Sequence, residues 1–145
     1  MGGSGDDHLE GGSGTDILIA GSAKSHLEGK EGDDILIAGT TVFDSNLPAL
    51  IAILEEWSRT DESYLQRVAN LQNSPVNGVS PNGVGRNGTD VLSASTVHAS
   101  GAGDQLDGGP GMEWFFANLD GVDNNGVTDK LNGFKPGEVI TRITL

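Results

Sequence analysis

A leucine recurs every nine residues at the start of the chain, as Leu9, Leu18, Leu27 and Leu36. Each sits at the centre of a three-residue run, HLE, ILI, HLE and ILI, and glycine-rich polar stretches separate the runs. Runs this short predict brief strands, in which the central leucine points to one side and its two neighbours to the other. In ninths the chain reads GGSGDDHLE (2–10), GGSGTDILI (11–19), AGSAKSHLE (20–28) and GKEGDDILI (29–37). The template is G-G-x-G-x-D-x-U-x with U apolar. Asp7, Asp16 and Asp34 hold its sixth position and Ser25 departs from it. Looser copies follow at GRNGTDVLS (85–93), ASGAGDQLD (99–107) and GGPGMEWFF (108–116). NNGVTDKLN (124–132) is a decayed copy with Asp129 and Leu131, and ASTVH (94–98) reads as a strand after a shortened turn.

If successive strands alternate between two sheets, one sheet receives HLE, HLE, VLS and QLD and the other ILI, ILI, TVH and WFF. The second sheet then turns Ile17, Ile19, Ile35, Ile37, Trp114 and Phe116 outward, an apolar patch that requires a cover. The stretch 38–84 reads as an insertion that supplies one. Two helices are expected in it, at about 46–59 and 61–72. Asn46 caps the first, Pro48 lies in its first turn, and Leu50, Ile51, Leu54 and Trp57 recur at helical spacing. Thr60 or Asp61 caps the second, with Tyr64, Leu65, Val68 and Leu71 on its apolar face. The hairpin is expected to pack on the ILI sheet. Residues 73–88, rich in Pro, Gly and Asn, predict a surface loop. The aromatic residues Trp57, Trp114, Phe115 and Phe116 are expected in cores rather than on a carbohydrate platform.

Composition narrows the chemistry. The 145 residues carry 21 acidic and 8 basic side chains, a formal charge of -13. A nucleic-acid partner is excluded on that balance, because phosphate backbones require a basic surface. With no cysteine, disulfides, thiolate metal sites and a cysteine nucleophile are excluded. No apolar run reaches membrane-spanning length. HExxH, GxSxG and P-loop motifs are absent, so no catalytic constellation emerges and no enzyme is expected. In 119–130 the acidic residues miss EF-hand spacing, because Asn132 falls where the loop needs its final glutamate. His8 and His26 occupy the same repeat position one coil apart; the sequence offers them no third ligand and reads them as a solvent-facing ladder.

The GGxGxD turns followed by xUx resemble the RTX, or hemolysin-type, calcium-binding repeats. That resemblance implies a mainly β fold, a parallel β-roll (a right-handed two-sheet solenoid), here with the helical hairpin inserted and packed on one sheet. It implies one domain over 1–145, with roll repeats at 2–37 and 85–116 and a C-terminal cap at 117–145. Calcium takes six to eight oxygens, and turns one coil apart offer half a shell each. Asp16 with Asp34, helped by backbone oxygens around Gly12, Gly14, Gly29 and Gly32, is the best expected site. Asp90 with Asp104 is a second, Asp7 opposite Ser25 is weak, and Glu113 belongs to an incomplete one. About two to four calcium ions follow from that coordination logic. The function implied is a calcium-binding module of a secreted bacterial protein, exported by type I secretion, that folds when it meets calcium and is monomeric within a longer chain. An adhesion module with a surface or glycan ligand, and an accessory domain of a secreted hydrolase, stay open as alternatives.

Overall fold

The computed structural model describes residues 1–73, 85–122 and 126–145. Most of the expected 73–88 loop, and residues 123–125 of the acidic segment, lie outside the described residues. The chain divides into two compact units, 1–41 with 97–145, and 42–96.

The first unit is built from the short strands that the nine-residue period predicts. Strands β1 (His8–Ser13), β3 (His26–Glu31), β7 (Gln105–Asp107) and β9 (Lys130–Asn132) form one parallel four-stranded sheet in that order. Strands β2 (Ile17–Ile19), β4 (Ile35–Ile37), β8 (Trp114–Ala117) and β10 (Val139–Arg142) form a second parallel sheet. Up to β4, consecutive strands alternate between the two sheets, and β7 to β10 resume that alternation. The leucine positions stack in register, Leu9 on Leu27 on Leu106 on Leu131, and Leu18 on Leu36 on Phe115 on Ile140. Both columns meet in one core, filled out by Ala20, Ala38 and Ala117. The fold is thus mainly β, with parallel sheets and two helices. The outward positions Ile19, Ile35, Ile37, Trp114 and Phe116 are buried, and Ile17 is half-buried. Phe115 and Trp57 are fully buried as well, as expected of core aromatics.

Two expected strands do not join these sheets. Val97–Ala99, from the ASTVH stretch, is β6 and pairs antiparallel with β5 (Gly39–Thr41) instead of joining the ILI sheet. Residues 91–93 form no strand, so the copy at 85–93 is a sequence match without a coil. The reason lies in what Leu92 does. Its amide donates to the Leu71 carbonyl at 2.7 Å and its side chain is buried within the second unit. The edge of β3 is meanwhile taken by β7, which leaves that sheet no place for VLS.

In the second unit, α1 runs Leu47–Trp57 and α2 runs Tyr64–Gln72. The Asn46 side chain accepts from the Ala49 amide, as the sequence predicts. The second helix is capped by Ser63 with Gln66 in a reciprocal capping box, not by Thr60 or Asp61. Asp61 is engaged instead by Arg59, at 2.7 Å. The buried stripe of α1 is Ala49, Ile53 and Trp57, one residue out of phase with the expected Leu50 and Leu54, while Ile51 and Leu65 are exposed. The small Ala49 and a buried glutamate, Glu56, had disguised that face. Glu56 accepts from Asn70 Nδ2 at 2.5 Å, the Arg86 amide at 2.7 Å and Arg59 at 3.4 Å.

Candidate metal centre

The turns that join the strands stack as closely as the strands do. Gly32 has φ +117, in the left-handed region, and a Cβ on it would overlap the Gly14 carbonyl of the turn beneath. Gly111 stands in the same relation to the Gly32 carbonyl. Glycine is therefore required at Gly32 by stacking as well as by backbone angle, and at Gly111 by stacking. The first has a different duty. A Cβ on Gly29 would lie 2.6 Å from Asp34 Oδ2, one on Gly2 2.8 Å from Asp7 Oδ2, and one on Gly108 2.9 Å from Glu113 Oε2. In each turn the sixth-position carboxylate folds back over the first glycine. Where the sixth residue is Ser25, the first is Ala20, and no carboxylate needs the space.

The carboxylates also tie coil to coil. The Asp16 amide donates to Asp34 Oδ1 at 2.9 Å, the Ser25 amide to Asp104 Oδ1 at 2.6 Å, and the Asp104 amide to Asp129 Oδ1 at 2.9 Å. Asp34 is fully buried, and after this bond its Oδ2 has no hydrogen-bond partner among the described residues. Burial, opposed by the Asp16 amide and reinforced by the Asp16 and Asp33 charges, pushes the Asp34 carboxyl up to about 7. Burial raises Asp16 too, and takes Asp129 to about 6 against hydrogen bonds from Asn118 and Asp104. Asp104 is raised by burial while Ser100 and Ser25 hold it back.

The turns at 11–16 and 29–34 therefore fit a hard cation. A Cβ placed on Gly11 would meet both the Gly29 carbonyl oxygen at 2.6 Å and Asp16 Oδ2 at 3.0 Å. Two oxygens thus converge on a cradle that only glycine leaves open, and the donors on offer are carboxylate and carbonyl, the set calcium prefers. Gly12 and Gly14 lie in the same turn with positive φ, at +103 and +115.

The remaining expected ligands are placed differently. Asp7 Oδ2 accepts from the Gly3 amide at 2.9 Å, in the outermost coil of its sheet. Asp104 keeps company with Ser25, Ser100 and Asp129. Asp90 belongs to the 42–96 unit, in a turn closed by Asn87. Glu113 is fully buried and faces an ammonium: Lys135 Nζ lies 3.0 Å from it and 3.1 Å from Glu138, and also donates to the Gly111 carbonyl. Burial and Glu138 push Glu113 up to about 7, with Lys135 opposing. Asp129, Lys135 and Glu138 were not among the expected site residues. The decayed copy at 124–132 pointed to Asp129, whereas Lys135 and Glu138 follow no template position.

Residues 1–24 match the family of the RTX calcium-binding nonapeptide repeat (4 copies). The likeness covers 24 of the 145 residues, and the same nine-residue spacing continues beyond it to β4. No curated protein and no solved structure matches the chain. No helix among the described residues is long and apolar enough to cross a membrane.

Proposed function

We propose that the chain is a calcium-binding RTX-type module of a secreted bacterial protein, a right-handed two-sheet β-roll whose folding is gated by calcium. The observation that carries this reading is the buried Asp34 carboxylate with an oxygen left over, one coil from Asp16. Asp16, Asp34 and the backbone oxygens around Gly12, Gly14, Gly29 and Gly32 would hold the principal ion. Asp104 with Asp129 is the next candidate, Asp7 a weaker one, and Asp90 a ligand only if an ion binds in its own turn. Lys135 already supplies positive charge to Glu113, which argues for an ion count toward the lower end of about two to four.

Calcium would neutralise carboxylates that otherwise repel in a chain of formal charge -13. Such a module stays unfolded where calcium is scarce and folds where it is plentiful, which suits export as an unfolded chain by type I secretion. Its role is structural rather than catalytic. Far-UV circular dichroism of the chain in chelator and in millimolar calcium tests the reading. A gain of β signal and of urea resistance with calcium is expected. Identical spectra and identical urea midpoints in the two conditions would sink it.

A further inference from the structure

The in-register pairing of β1, β3 and β7 builds a second constellation away from the turns, on the outer face of their sheet. His8 stacks on His26, and Glu10 on Glu28 on Asp107. The two imidazole rings are 4.8 Å apart. Glu28 Oε1 lies 3.5 Å from His8 Nε2 and 3.8 Å from His26 Nε2. One ligand atom from each of His8, His26 and Glu28 can be chosen with all of them within 4.8 Å of one another. Glu10 Oε1 stands 3.1 Å from His8 Nε2, and the Asp107 carboxylate is bonded to His26 Nε2. A shallow hollow lined by Asp7, His8, Ser25, His26 and Gln105 opens beside the pair.

We propose that His8, His26 and Glu28 form a site for a divalent transition ion of the zinc class, with Asp107 or Glu10 available as the fourth ligand. A tetrahedral ion with bonds of about 2.0–2.1 Å holds its ligands about 3.3–3.4 Å apart, close to the two histidine–Glu28 separations. Imidazole nitrogen also selects such ions over calcium, which prefers oxygen alone. The parallel register stacks like on like, so three carboxylates stand in one row with Lys30 as the ammonium paired to Glu28 and Glu10. Like charges opposed across strands repel, and an ion among them relieves this. Lys30 is the site's internal competitor, because its ammonium sits on the Glu28 carboxylate that the metal needs.

The site is made by the register of the sheet, which on the proposed function calcium brings about, so the full chain is tested in saturating calcium. Zinc is titrated by calorimetry, and cobalt absorption reports the ligand geometry. One zinc per chain is expected, with a tetrahedral cobalt spectrum. His8→Ala, His26→Ala and Glu28→Gln each weaken binding at least about tenfold. His98→Ala leaves it unchanged, and Lys30→Ala tightens it. In the unsubstituted chain, zinc shifts the Nε2 resonances of His8 and His26 but not those of His98, a measurement that needs no variant to fold. Zinc uptake that is equal in the histidine variants, or that calcium displaces one for one, places the ion in the carboxylate turns and overturns the proposal. Failure of the calcium-induced circular dichroism change would instead count against the β-roll reading, so the two failures are distinguishable.

Discussion

Acid should partly replace calcium. In the folded chain the Asp34 carboxyl is pushed from its ordinary 3.8 to about 7, chiefly by burial. The folded state therefore holds a proton that the unfolded state has already released across that window. For an acid raised in this way, stability is highest below the ordinary value and is lost as pH rises through the window. At about 1.4 kcal/mol per tenfold, the full effect is about 4 kcal/mol, of which about 2.5–3 kcal/mol falls between pH 5 and pH 8. Asp129 and Glu113, raised to about 6 and about 7, act in the same direction. Asp34→Asn isolates the term, because its amide oxygen still accepts the Asp16 amide and cannot ionise. The assay is urea unfolding in chelator, followed by the fluorescence of the buried Trp114. Calcium-free wild-type chain, unfolded near neutral pH on the proposed function, should gain structure and urea resistance from pH 8 to pH 5, and Asp34→Asn should show a shallower dependence. Calcium reverses the order for the wild type, since the ion replaces the proton and binds better as pH rises. Calcium-free stability that climbs from pH 5 to pH 8, or equal slopes in wild type and Asp34→Asn, refutes the reasoning.

Other substitutions probe separate features. Gly29→Ala sets a methyl against the Asp34 carboxylate and should lower calcium affinity at least tenfold by calorimetry, whereas Gly5→Ala, with open space around it, should change it little. Lys30 occupies the second template position at φ +74, so Lys30→Gly should be more stable than Lys30→Ala by roughly 1–2 kcal/mol in calcium-saturated urea melts, both having lost the amine. Glu56→Ala leaves the Arg86 amide without its acceptor, while Asn70 and Arg59 keep Glu62 and Asp61, and should destabilise the 42–96 unit by roughly 1–3 kcal/mol in thermal unfolding.

The sheets were legible because the repeat states each strand three ways: by the leucine, by the glycines and by the carboxylate. Even the worn copy at 124–132 was readable, and Leu131 pairs with Leu106 as its position demands. The copy at 85–93 matched the template equally well yet forms no coil. A motif fixes a turn locally, but sheet membership depends on a free edge, and the edge of β3 went to β7. Trp57, Val68 and Leu71 are buried as read, but the rest of the α1 face was misread because burial followed Ala49 and Ile53 around a charged Glu56, and residue type alone favours Leu50. In the candidate site, the Asp16–Asp34 pair was visible in the sequence and is joined by the bond from the Asp16 amide. The Lys135–Glu138 pair beside Glu113 was not visible there, since it meets Glu113 from 22 and 25 positions along the chain without a repeat to announce it.

The chain leaves the repeat array through β5 and returns through β6, which are hydrogen-bonded neighbours, and the Val42 amide reaches the Thr96 carbonyl at 2.9 Å. The 42–96 unit is thus entered and left through one doorway. Because its two ends already meet, the array on either side has no gap to span, and β7 continues on β3 as though nothing lay between them. With its ends joined in this way, the insert does not set the spacing between β3 and β7 by its own length. The array behaves as a socket, with the stacked turns and the sheets as the fixed part and the inserted unit as the replaceable one.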